Sequence, residues 1–330
     1  MIQTKCRLKN NMGKNIVIII PIYNAEKTLE RCLNSVFSQT YTSFDVICVN
    51  DGSKDTSLDI LEKYKKKYKN IYIINQDNQG PSVARNTALD YIKDKSYDFI
   101  TFIDADDFID DNYLETLVNY QKEYDADIVC SSYSLDNENR CRRIKHLDNN
   151  CLLINIEALN ILLEDRSVQS HSPEKLYKKS LWDNVRYPID IVAMEDQATI
   201  YKTFIPANKI YITNYCGYHY WQGGSSVCRS EINNSRVISS LKGYMTSVLD
   251  PNLPKECLDS AIQGFINCYL MMYPRYKKQS NSDEFNKIKQ YVNKNKLVKK
   301  FIPKIKSEKM KKMAYLYARP FYRILFKLFS

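Results

Sequence analysis

Along the first 130 residues, short apolar, β-branched runs alternate with longer stretches whose apolar positions recur every three or four residues. "IVIII" (16–20) is a continuous apolar run, the pattern of a strand covered on both faces. "AEKTLERCLNSVFSQ" (25–39) sets Leu29, Cys32, Leu33, Val36 and Phe37 on one helical face. The pairing repeats: "FDVICVN" (44–50) and a helix over 55–69, "IYIIN" (71–75) and a helix over 82–93, "DFITFI" (98–103) and a helix over 111–124, then "DIVCSS" (127–132). This alternation predicts an α/β fold with a mainly parallel central sheet and right-handed crossovers. Ligands of such sheets sit beyond the carboxyl ends of the strands. There lie "PIYN" (21–24), "DGSKD" (51–55), "QDNQG" (76–80) and "DADD" (104–107), all predicted at one sheet edge.

Between about 135 and 228 the pattern is irregular, with a helix expected over 155–165, a proline-containing loop at "SHSPEKLY", and a helix opening near residue 195 in "AMEDQATIYKTF". Past 230 the chain reads as helical to its end, with a break near Pro251 and Pro254. The expected division is an extension over 1–14, an α/β domain over 15–228 and a helical C-terminal region over 229–330.

With 330 residues and 44% hydrophobic composition, the chain can bury a substantial core. Its ten cysteines are irregularly spaced with no CxxC, and the first apolar run is too short for a signal peptide, so a reduced, cytoplasmic protein with free thiols is expected. No run approaches the roughly 18 apolar residues of a spanning helix. The net charge of +10 is uneven: residues 285–330 carry +13, leaving −3 on the rest. In that tail Met310, Met313, Ala314, Tyr317, Phe321, Ile324, Leu325 and Leu328 recur at helical spacing, with Lys309, Lys312, Arg319, Arg323 and Lys327 mostly elsewhere. Such a helix suits an anionic membrane surface, on the inner face of the membrane, and equally suits packing on the body with a solvated basic face; Pro320 would kink it. No nucleic-acid module accompanies the charge.

The acidic cluster carries the first chemical signal. Asp110 and Asp111 are expected to begin a helix, where acids are favoured. Asp104 and Asp106 precede that point, and an Asp-X-Asp just off a buried strand suits Mg²⁺ or Mn²⁺ that completes its shell with phosphate oxygens and water. Asp107 stays open between a supporting role and a cap. A phosphatase that uses an aspartyl nucleophile is a poor fit, because Phe108 and Ile109 follow the cluster. Asp51 to Glu62 mimics a calcium loop in spacing, but Thr56 stands where the loop needs glycine. Neither GxGxxG nor GxxxxGK[ST] occurs, so a diphosphate would be held by metal and a cation, for which Arg85 in "QGPSVARN" is placed.

"IVIIIPIYNAEKTLERCLNSVFSQTY", "VICVNDGSKDTSLDIL", "NQGPSVARNTAL" and "FIDADDFI", in this order, resemble the nucleotide-sugar-binding half of the inverting family 2 glycosyltransferases of the GT-A (Rossmann-like) fold. The likeness is dense over 15–125 and looser through "KLYKKSLW", "MEDQATIYK" and "YHYWQGGSSV" to about 228, which would be the acceptor half. The resemblance implies that Pro21, Tyr23 and Glu26 line the nucleotide pocket and that Asp51 accepts a hydrogen bond from uracil. It places Arg85, Asp104, Ala105, Asp106 and Ser226 around the nucleotide sugar, with Asp106 and Asp104 holding Mn²⁺ or Mg²⁺. It makes Asp196, beside Glu195, the base that deprotonates the acceptor. A UDP-sugar donor, a glycan or lipid-linked acceptor and a place in cell-surface polysaccharide synthesis follow from the same likeness. One departure stands out: Trp221 occupies a position where relatives tend to carry an arginine that closes over the diphosphate. Lys175 is a candidate substitute, and His219 is expected to be structural rather than a metal ligand. That departure also leaves room for a non-catalytic nucleotide- or glycan-binding protein, beside the metal-dependent phosphatase reading.

Overall fold

The structure, a computed structural model, describes residues 15–144, 147–164, 168–223, 233–276, 282–304 and 311. Strands β1 (Ile16–Ile22), β2 (Phe44–Asp51), β3 (Ile71–Gln76) and β4 (Phe99–Phe102) form the parallel block expected from the sequence, with Ile18 paired to both Val46 and Thr101. Beyond β4 the sheet becomes mixed. Strand β9 (Lys175–Lys178) inserts antiparallel between β4 and β6 (Ile128–Asn137), and β10 (Lys209–Trp221) runs parallel to β6. Strand β5 (Phe108–Ile109) closes that edge against Tyr218 and His219. The order is β3-β2-β1-β4-β9-β6-β10-β5, with β7 (Arg140–Ile144) on β6 and β8 (Cys151–Ile154) on β10.

Residues Ile16 to Ile20 are fully buried because helices cover both faces of the sheet. One face holds Ile16, Ile18, Val46 and Cys48 against α1 (Leu29–Phe37), α2 (Ser57–Lys67) and α4 (Tyr113–Tyr124). The other holds Val17, Ile19, Ile47, Ile100 and Phe102 against α3 (Pro81–Tyr91), α5 (Asn155–Glu164) and α6 (Ile200–Phe204). The later helices α7 (Asn234–Leu249), α8 (Leu258–Met272), α9 (Asp283–Lys294) and α10 (Leu297–Phe301) join this second core rather than building one of their own.

Several boundaries depart from the periodicity. Ala25 to Thr28 form a turn, since Thr28 and Leu29 both donate to the Ala25 carbonyl, and α1 starts only at Leu29. The expected helix near residue 195 is a turn, in which the Asp196 carbonyl accepts from the Thr199 and Ile200 amides, followed by the short α6. Asp110 and Asp111 do not cap α4, which begins at Tyr113 behind Asn112; they serve other partners. The basic tail over 307–330 lies outside the described residues save 311. No described helix is long and apolar enough to cross a membrane, and every cysteine among the described residues is a free thiol.

Gly264 lets α8 approach α5 closely: a Cβ there would stand 2.2 Å from the Leu163 carbonyl oxygen. Gly264→Ala gains about 1 kcal/mol of helix propensity. Overpacking costs about 1–3 kcal/mol. A backbone carbonyl cannot swing aside, so the expected result is a lower melting temperature in thermal unfolding.

Candidate active site

β4 delivers the acidic loop to the sheet edge. Past Phe102 the Ile103 amide still donates to the Ile19 carbonyl (3.1 Å), and the chain then turns, with the Asp107 amide donating to the Asp104 carbonyl (3.0 Å). The turn sorts the three carboxylates. Asp104 and Asp106 are half-buried at the rim, Ala105 packs inward, and Asp107 is fully buried. The Asp107 Oδ2 accepts from the Tyr218 hydroxyl (2.6 Å) and its Oδ1 from the Trp221 amide (2.8 Å), while the Asp104 amide donates to the Tyr218 oxygen (3.3 Å). Asp107 therefore pins the loop to β10. Burial, with Asp106 and Asp104 nearby, pushes its carboxyl well above the usual range despite these two donors.

Arg85, on the inner side of α3, is only 4% exposed. Its Nη2 meets Asp104 Oδ1 at 3.0 Å, and its Nη1 meets Glu195 Oε1 at 3.1 Å and Asp196 Oδ1 at 3.9 Å. Burial alone would lower it, but Asp196 and Asp104, with Glu195 adding to them, hold Arg85 well above the ordinary arginine value. Glu195 is raised, first by desolvation and then by Asp196, with Arg85 opposing. Asp196 is oriented by Ser172, whose Oγ donates to Asp196 Oδ1 and lies 2.5 Å from the Tyr187 hydroxyl.

The segment carrying this pair is fixed by α7. Met194 adopts φ +63°, and a Cβ on Gly243 would stand 2.6 Å from its carbonyl oxygen, so the helix meets the strained turn without a side chain between. Ser239 clamps Ala193, accepting from its amide at 3.0 Å.

The remaining sequence candidates fall into different places. Asp51, 3% exposed, already accepts from the Gln76 side chain and from the Gln79 and Gly80 amides at 2.8–2.9 Å. Of the roughly four lone-pair directions of a carboxylate, one is left for a ligand. Its main visible work is to hold the loop that starts α3. Glu26 accepts from the Thr56 amide and hydroxyl and so ties two edge loops together. Pro21 is the penultimate residue of β1, and Tyr23 just beyond the strand is 51% exposed. Lys175 does not supply a cation to this edge: it is fully buried, donating to the His171 carbonyl and to Glu174. His219 lies between Asp136 (2.6 Å) and Asp110 (2.9 Å), away from Asp104. Ser226 lies outside the described residues.

The sequence profile of glycosyl transferase family 2 matches residues 17–194. The chain belongs to that family. This family 2 chain is 33% identical over 213 residues to glycosyltransferase GlyA of Streptococcus pneumoniae serotype 4, covering 62% of the chain and 30% of the relative. It is equally 33% identical over 211 residues to a poly(ribitol-phosphate) beta-glucosyltransferase of Bacillus spizizenii, covering 62% and 32%. The chain thus spans about a third of the length of these two relatives. Among solved structures, Staphylococcus aureus TarS 1-349 in complex with UDP-GlcNAc superposes with a TM-score of 0.65 at 20% identity, covering 94% of this chain and 86% of that one. The shared architecture is the GT-A arrangement expected from the sequence.

Three further residues reach the site through contacts that no sequence motif marks. Ser172 lies in a loop with no periodic signature, 24 residues before Asp196. Tyr218 was one tyrosine among 26. Arg31 lies off the apolar face of α1, and its Nη2 donates to the Asp106 carbonyl at 2.8 Å.

Asp107→Ala strands the Tyr218 hydroxyl and the Trp221 amide, at about 1–3 kcal/mol each, and should lower unfolding free energy by about 2–6 kcal/mol in denaturant titration. Glu195 titrates higher folded than unfolded, so its contribution to stability is full below about pH 4.3 and is lost as pH rises through the raised value. Glu195→Gln, which keeps an acceptor for Arg85, should therefore gain melting temperature relative to wild type as pH rises from about 4 toward neutrality.

Proposed function

We propose that the protein is an inverting glycosyltransferase that moves a sugar from a UDP-sugar to a hydroxyl of a glycan or lipid-linked acceptor in cell-surface polysaccharide synthesis. The observation that carries this reading is the meeting of Asp104, Glu195 and Asp196 on one buried arginine, which sets a rim carboxylate and a candidate base on the same edge. The names of relatives and neighbours agree in class: poly(ribitol-phosphate) glucosyl- and N-acetylglucosaminyltransferases, and TarS in complex with UDP-GlcNAc.

Asp104 and Asp106 are the residues that would hold Mn²⁺ or Mg²⁺. Both carboxylates are half-buried at the rim, and an ion of this kind takes one or two carboxylates and completes its shell with phosphate oxygens and water. When bound, such an ion neutralises charge on the departing diphosphate. A Mannosyltransferase PcManGT of Pyrobaculum calidifontis, in complex with GDP-Man and Mn2+, has a TM-score of 0.54 to this chain.

The chain's own residues do the rest. Asp196, held by Ser172, takes the proton from the acceptor hydroxyl as the sugar carbon acquires oxocarbenium character. Arg85 lies 3.9 Å from the Asp196 carboxylate and helps to aim it while it fixes Asp104. Tyr23, exposed beyond β1, and Asp51, with its remaining acceptor direction, would receive the uracil. The basic tail would rest on an anionic membrane surface, beside a lipid-linked acceptor.

Asp196→Asn should abolish transfer from a UDP-sugar while UDP affinity, read by calorimetry, stays within about twofold; retained turnover would remove Asp196 as the base. Asp106→Ala should weaken UDP binding in Mn²⁺ and make it insensitive to a chelator. Release of phosphate from simple esters with no response to UDP would instead favour a phosphatase.

A further inference from the structure

Arg31 differs from the other cations of the site. Arg85 is committed to three carboxylates, and Lys175 is buried against Glu174. Arg31, in the first turn of α1, makes one hydrogen bond, to the Asp106 carbonyl, and no ion pair among the described residues. Its guanidinium carbon stands 4.0 Å from the centroid of the Trp221 ring and 4.8 Å from that of Phe108. Phe108 stacks in turn on His219, with centroids 4.4 Å apart and planes 1° from parallel.

Both ends of this assembly are anchored. The Trp221 amide is held by Asp107, and the His219 ring by Asp136 and Asp110. Stacking engages the faces of a guanidinium and leaves its in-plane N–H edge available, the edge that binds phosphate in a forked pair. Of the five donors of the group, one is spent and Nε is buried without a partner. The rings restrict the side chain beforehand, so little rotamer freedom remains to be lost on binding. Among the described residues, Asp104, Asp106, Asp107, Glu195 and Asp196 gather around Arg85 and Arg31, and a nucleoside diphosphate would add further negative charge.

We propose that Arg31 is the cation that meets the diphosphate of the donor, seated by Trp221 and Phe108. This assignment rests on the nucleotide-sugar reading of the site. The tryptophan at 221 is then not a lost arginine but the platform for one supplied from α1, and Arg31 touches both the ligand and the backbone of Asp106.

The test is titration of UDP and of uridine, in Mn²⁺, into the full chain and its Arg31→Ala, Arg31→Lys and Trp221→Ala variants. Arg31→Ala should weaken UDP by about tenfold to a hundredfold while leaving uridine within about twofold, the scale of a hydrogen bond to a charged group. Arg31→Lys should lose less than alanine, and Trp221→Ala should weaken UDP with uridine unchanged. Unaltered UDP affinity in Arg31→Ala would overturn the assignment, as would equal losses of UDP and uridine, the mark of a structural role. A wild-type chain that binds no UDP would instead overturn the underlying nucleotide reading.

Discussion

Arg85 carries its charge where water is almost excluded, and three carboxylates from two distant stretches of the chain make that position tenable. A buried cation stripped of one partner typically costs about 3–5 kcal/mol, so the loop after β4 and the turn before α6 are held together by more than packing. The constraint extends backward. Asp51 binds the Gln79 and Gly80 amides, Gly80 takes φ +89° where a side chain would be strained, and α3 starts at Pro81 with Arg85 one turn further on. A residue expected to read the base thus also sets the aim of the arginine at the centre of the site.

The same economy runs through "DADD". Alternation along the turn sends Asp107 inward, where it pins β10, and leaves Asp104 and Asp106 at the rim. The buried acid makes the rim acids rigid. Among the described residues five carboxyl groups, those of Asp107 and Glu195 pushed up by burial, surround two guanidiniums, and the rim pair Asp104 and Asp106 has the chemistry of a divalent-ion site.

What the sequence disclosed followed from periodicity. β1 to β4 and α1 to α4 have clean strand or helix patterns and appear within a few residues of their expected positions. β9 is four residues long, β5 two, and β10 mixes polar and aromatic residues with register shifts between Thr213 and Tyr218, so no period marks them. The acids at 104 and 106 could be singled out because they precede a helix start, but Asp110 and Asp111 could not be separated from caps by composition. Their true partners, His219 and Ser38, lie 109 and 73 residues away. Ser172 and Arg31 were invisible for the same reason: each acts through a contact that only the folded sheet edge creates.

The account's central claim is a single displacement driven by one base, Asp196, acting opposite the departing diphosphate. Its most direct measurement is the anomeric configuration of the sugar first released from an α-linked UDP-sugar in Mn²⁺, followed by proton NMR before mutarotation. The account predicts the β anomer; initial release of the α anomer would contradict it.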